Sequence, residues 1–138
     1  MNRSDFQVLA NIRIKEAQVL LQNTCYEGAY YLVGYAVECG LKACIAKRTK
    51  RYDFPDRDRA SNSYTHNVER LLELSGLKVE HQKGLVTNPS FARNWAIVKD
   101  WRESSRYDTE ISELAARDLF SAVTTRRSRV MPWLRKWW

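Results

Sequence analysis

Several residue types are scarce in this chain of 138 residues, and each scarcity removes a class of function. Its three cysteines, Cys25, Cys39 and Cys44, form no CxxC pair, and its two histidines are His66 and His81. Structural zinc takes four such ligands at short, regular spacings, so no metal is expected, and no cofactor motif is present either. The odd cysteine count and the apolar helical surroundings predict buried thiols in a reducing compartment. No apolar run reaches the roughly 18 residues that a membrane span needs, and the opening residues do not read as a signal peptide. A cytoplasmic protein without a membrane partner is the expectation. A glycine-rich phosphate loop, a GxSxG nucleophile turn and the carboxylate set of a nucleotidyltransferase or two-metal centre are all missing. Nothing alternates with period two, and no repeat or low-complexity segment appears.

Acid is also in short supply: 16 Asp and Glu face 23 Lys and Arg, a net charge of +7 with a pI near 9.5. That balance suits an acidic partner such as nucleic acid, phosphate or an acidic protein.

What is present is helical periodicity. Between residues 24 and 48, Tyr26, Tyr30, Val33, Val37, Leu41 and Cys44 follow one another at steps of three or four, one face of a helix. Thr24 and Glu27 have the spacing of a capping box. Gly28, Gly34 and Gly40 sit inside this helix, where each costs about 1 kcal/mol relative to alanine. Together with Ala36 and Ala43 they imply close approach of neighbouring helices. Glu38 and Lys42 form an i,i+4 pair of the favourable polarity within the same apolar helix.

The other elements follow in order. Ser4 with Gln7 predicts a helix over about 5–22, joined by Asn23 and Thr24 to the central helix as a hairpin. Residues 47–65, basic and centred on Pro55, read as a long loop. Thr65 is placed as the cap of a helix carrying Val68, Leu71 and Leu72, with Gly76 as its stop. Residues 77–87 are ambiguous, a short extra turn around Val79 and Leu85 being one reading. Asn88 and Pro89 start a helix with Phe91, Trp95 and Val98 on its face, which ends in the stretch from Trp101 to Asp108. A last helix from Asp108 or Thr109 would run through Ile111, Leu114, Ala115, Leu119, Ala122 and Val123 until Pro132 breaks it. The fold class is therefore all-α, an up-and-down bundle of about five helices. One domain would cover 1–131, followed by a basic, Trp-rich tail at 132–138.

Candidate site residues fall in three groups. Glu38 and Lys42 need partners if buried, and Arg106, beside Tyr107, is the expected partner of Glu38 through a two-bonded carboxylate contact. His66 is a proton-transfer candidate, or else simply bonds at its helix start. Arg126, Arg127, Arg129, Trp133, Trp137 and Trp138, in a segment without acid, would stack on bases and hold phosphates, cover a partner, or fold back on the bundle.

Three short motifs in order carry a family resemblance: Tyr35 to Ala43 around Glu38 and Lys42, Thr65-His66-Asn67-Val68 leading into Leu71 and Leu72, and Ser105-Arg106-Tyr107. This arrangement resembles the HEPN family, small helical domains of prokaryotic nucleotidyltransferase partners, toxins and defence proteins. The resemblance implies a helical bundle, commonly dimeric, acting on or beside RNA or nucleotides. Many relatives are metal-independent endoribonucleases using an arginine and a histidine about four to six residues apart, with a polar residue after the arginine. Arg59 and His66 have such a spacing, but Ala60 follows the arginine, and Arg102 and Arg106 near the final helices have no histidine beside them. The first expectation is accordingly a dimeric subunit that binds and regulates, engaging RNA, nucleotide, a nucleotidyltransferase or an antitoxin. An endoribonuclease using Arg59 and His66 comes second, and a helical protein-binding adaptor third.

Overall fold

The chain enters its first helix through Asn2. Its side chain accepts the Asp5 backbone N–H at 3.0 Å, while the Asp5 carboxylate accepts the Asn2 N–H at 2.8 Å. This reciprocal pair satisfies two of the donors that every helix start leaves open, in place of the expected Ser4 and Gln7. The computed structural model describes residues 1–51, 63–124 and 127–138. They form α1 (Arg3–Gln22), α2 (Tyr26–Arg51), α3 (Val68–Leu74), α4 (Lys78–Thr87), α5 (Pro89–Val98), a 3-10 helix (Glu103–Tyr107), α6 (Glu113–Val123) and α7 (Val130–Arg135). No strand occurs among the described residues, so the all-α reading holds, with seven α-helices where about five were expected.

The α1–α2 hairpin closes through backbone bonds. Thr24 N–H donates to Leu21 and Cys25 N–H to Leu20, the pairing that ends a helix around a left-handed residue. Thr24 is that residue, with φ at 60°. It therefore terminates α1 and does not cap α2, and the expected Thr24–Glu27 box gives way to this geometry. Cys25, beside the turn, is exposed, whereas Cys39 and Cys44 are buried as expected.

Helix α2 is the axis of the molecule, packing against α1, α3, the 3-10 helix, α6 and α7. From Val33 to Ile45 it is buried on nearly every side rather than along one face, as befits a helix enclosed by others. Its glycines mark the closest approaches. A Cβ on Gly34 would lie 2.2 Å from the fully buried Trp101 ring, and one on Gly40 would meet Leu134 at 3.2 Å. α2 also continues to Arg51, so residues 47–51 of the expected loop are helical; residues 52–62 lie outside the described ones.

Later elements depart from expectation at their caps. Asn67, not Thr65, caps α3 by accepting the Arg70 N–H at 2.9 Å, while the Thr65 hydroxyl accepts the Asn67 N–H at 3.2 Å. Gly76 ends α3 as expected, at φ 78°. Residues 78–87 are a full helix of ten residues. Asn88 caps α5 by accepting the Phe91 N–H at 3.1 Å. α6 starts at Ser112, whose hydroxyl accepts the Ala115 N–H at 3.0 Å. Leu114 lies on the outward side of α6, 70% exposed, and Ala116, Leu119, Ala122 and Val123 lie inside.

The largest correction concerns the C-terminal segment. Pro132 does not break a helix; it lies in the first turn of α7, where its missing N–H costs nothing. The boundary expected at 132 falls inside α7, and Val130, Met131, Trp133 and Leu134 are buried in the same core as α2 and α5. No helix among the described residues is long and apolar enough to cross a membrane.

A polar window on the central helix

Between Val33 and Ile45 only Tyr35 and Lys42 reach the surface. Tyr31, Tyr35, Glu38 and Lys42 succeed one another at steps of four, three and four, so they share an arc of about 60° on α2. Among the described residues, this line is where the packing around the middle of the helix opens.

Glu38 sits at its centre with its side chain 1% exposed. Its Oε1 accepts a hydrogen bond from Lys42 Nζ at 2.9 Å and contacts His66 Nδ1 at 2.8 Å. The His66 side chain is 51% exposed, and that of Lys42 16%. A carboxylate only accepts hydrogen bonds, so Nδ1 carries the proton in this contact. The ring is thereby held with Nε2 as the nitrogen left for a ligand or for proton transfer. Glu38 Oε2 is buried and has no partner among the described residues.

His66 is thus bonded to the central helix, not at its own helix start. It arrives there because the chain runs extended through Thr65, His66 and Asn67 until the Asn67 cap begins α3. The expected Glu38–Arg106 pair is not formed. Arg106 instead bonds Glu103, one turn away on the 3-10 helix, at 2.5 Å. Its guanidinium lies 4.7 Å from the centre of the Tyr107 ring, and its charge acts on the nearby Tyr31 phenol. The partners are already taken: Arg106 is engaged by Glu103 and Tyr107, and Glu38 by Lys42 and His66. Arg106 and Tyr107 therefore flank the window at its Tyr31 end, while His66 and Lys42 flank Glu38.

The rings between these ends are stacked. Tyr31 and Tyr35 have centres 6.0 Å apart with planes 20° from parallel, and Tyr31 lies 6.2 Å from Trp101 at 23°. Burial, followed by the neighbouring Cys39 thiol and the Glu38 charge, pushes the Tyr35 phenol up to about 12. Burial, followed by Glu38, does the same to the Cys39 thiol, also to about 12. Both stay protonated at neutral pH, and Cys39 has no nucleophilic character. Tyr31 is likewise raised, by burial first and then by Glu103.

The other candidates lie elsewhere. Arg59 and Arg126 lie outside the described residues. Arg127 is exposed; Arg129 donates to Asn94 Oδ1 at 2.9 Å and so ties α7 to α5. Trp133 packs against Phe91 with ring centres 5.2 Å apart, inside the core. Trp137 and Trp138 are half-buried: Lys47 Nζ donates to the Trp137 carbonyl at 3.3 Å, and Arg3 donates to the Trp138 carbonyl. The tail folds back on its own bundle. Tyr31 and Tyr35 were missed as site residues because their helical spacing reads equally well as core. Their spacing from Glu38 and Lys42 was the available signal.

A family model described as HEPN domain matches residues 9–136, nearly the whole chain. The chain belongs to the HEPN domain family. Comparison with curated proteins and with solved structures returns no significant match. Membership supports a general role connected with RNA, nucleotides, toxins or defence. Within this HEPN domain, no group of three or more His, Cys, Asp or Glu suited to a metal occurs among the described residues.

Proposed function

We propose that this HEPN-domain protein is a binding and regulatory subunit that engages RNA or nucleotide at the window on α2. It would act as a dimer within a prokaryotic nucleotidyltransferase-partnered, toxin–antitoxin or defence system. The observation that carries the reading is the convergence of Lys42 and the half-exposed His66 on Glu38, a carboxylate 1% exposed within the stretch of α2 from Val33 to Ile45 that is buried on nearly every side. Charges are costly to bury, and apolar packing would have served a merely structural position. Arg106 and the net charge of +7 favour an anionic ligand at the same face. The test is binding of a fluorescent oligoribonucleotide at two salt concentrations. Affinity should fall steeply with salt and should weaken in Lys42→Ala and His66→Ala. Wild-type-like binding by both variants would remove the window from the reading.

A specific observation also supports an endoribonuclease reading. Glu38 holds His66 Nδ1, so Nε2 is free to take the proton from a ribose 2′-hydroxyl as that oxygen attacks the adjacent phosphorus. The phosphorus–5′-oxygen bond breaks, and the leaving oxygen takes up a proton from water; Lys42, on the same carboxylate as His66, offsets the charge that builds on the phosphate. Cleavage that persists in EDTA and disappears in His66→Ala supports this. Equal cleavage by the variant assigns it to a contaminant. The adaptor reading draws less support, because the tail tryptophans are engaged with their own chain.

A further inference from the structure

The window has two chemically different ends. At one, Lys42 and His66 offer a cation and an imidazole beside Glu38. At the other, Tyr107 is 72% exposed and the Arg106 guanidinium lies over one face of its ring. Nothing in the packing requires an exposed aromatic there. Arg106 pairs with Glu103 while its side chain stays 45% exposed, and Tyr31 is stacked between Tyr35 and Trp101. A cation over one face of an exposed ring leaves the other face for a flat group.

The distance between the ends limits what can bridge them. Tyr31, which carries the Arg106 contact, and Lys42 are eleven residues apart on one helix, about 16 Å at the α-helical rise. A stacked strand advances about 3.4 Å per nucleotide, so this span corresponds to roughly three to five nucleotides, fewer when the bases are splayed. A mononucleotide is too short to meet both ends. A duplex keeps its bases paired and offers no free base face to a ring.

We propose that the window is a track for an unpaired RNA strand: one base stacks on the Tyr107–Arg106 pair, and the backbone about four nucleotides away meets Lys42 and His66. This rests on the RNA reading above and adds to it the strandedness, length and polarity of chemistry along the site. Tyr107 is a base platform in this arrangement, and Arg106 serves both the platform and the phosphates.

The experiment is fluorescence anisotropy on the full chain with labelled oligouridylates of two, four and eight nucleotides and with an RNA hairpin duplex. Affinity should rise from two to four nucleotides and gain little beyond, and the duplex should bind more weakly than the four-nucleotide strand. Tyr107→Ala should weaken the four-nucleotide strand about tenfold, Tyr107→Phe should restore it, and Lys42→Ala should weaken it while reducing the salt slope by about one. Tyr107 is exposed, so its replacement leaves the fold intact, which thermal melting verifies. If Tyr107→Ala binds like wild type while Lys42→Ala is impaired, or if duplex and single strand bind alike, the track is overturned and the RNA reading stands. If the wild-type chain binds none of these oligonucleotides at low salt, both fall.

Discussion

The chain's two histidines occupy opposite environments. His66 stands half-exposed at a surface opening and gives its Nδ1 to a buried carboxylate. His81 is 5% exposed, enclosed by edge-on contacts with Trp95 at 4.4 Å, Trp133 at 5.8 Å and Phe91 at 5.9 Å. Its Nε2 has no hydrogen-bond partner among the described residues, and burial lowers its pKa from 6.5 to about 4. One ring is anchored by polar contact with a free nitrogen to offer; the other is a neutral wedge between α4, α5 and α7. The difference teaches that a histidine can offer a ring nitrogen to a ligand only where it stands partly in solvent.

The comparison can be broken from its apolar side first, where the effect is largest. Trp133→Ala opens the enclosure around His81 and should cost about 3–5 kcal/mol, measured by urea denaturation. A loss under 1 kcal/mol would mean that α7 does not complete the core.

The next largest effect depends on pH. The unfolded chain takes up the His81 proton near pH 6.5, and the folded chain only near 4. In that interval the unfolded state binds more protons, so the contribution to stability is full above about 6.5 and declines as pH falls toward 4. His81→Leu should flatten this decline, seen by subtracting the two melting-temperature profiles between pH 7 and pH 4. Parallel profiles would assign the decline to other groups.

On the polar side the effects are smaller. Glu38→Ala leaves Lys42 and His66 without their acceptor, yet both can turn to solvent, so a loss of about 1–3 kcal/mol is expected. His66→Ala removes a side chain that is already half in water and should cost less than about 1 kcal/mol, while still weakening ligand binding. A large stability loss in His66→Ala with unchanged binding would reverse the assignment of roles to the two histidines.

Much of the fold was legible. The steps of three and four around Val33, Val37 and Leu41, the Asn88–Pro89 start and the Gly76 stop are local signals, and each corresponds to an element boundary or buried position in the structure. Caps were harder to read. Asn2, Asn67 and Ser112 compete with Ser4, Thr65 and Asp108, all of which fit the same local chemistry, and only the full packing selects among them. The site was half legible: Glu38 and Lys42 are joined within one helix, and their pairing follows from spacing alone.

Sequence alone determined the all-helical class, the central role of α2 and the Glu38–Lys42 pair, because backbone periodicity and i,i+4 contacts are set within a few residues. Tertiary structure decided that Glu38 meets His66 rather than Arg106, since that contact joins residues 28 apart and depends on where the chain enters α3. It likewise decided that the basic, tryptophan-rich end is a core helix. Its pattern of Val130, Met131, Trp133 and Leu134 suits an exposed docking surface as well as a buried one, and the groove left by Gly40 and Gly84 gives those side chains their place.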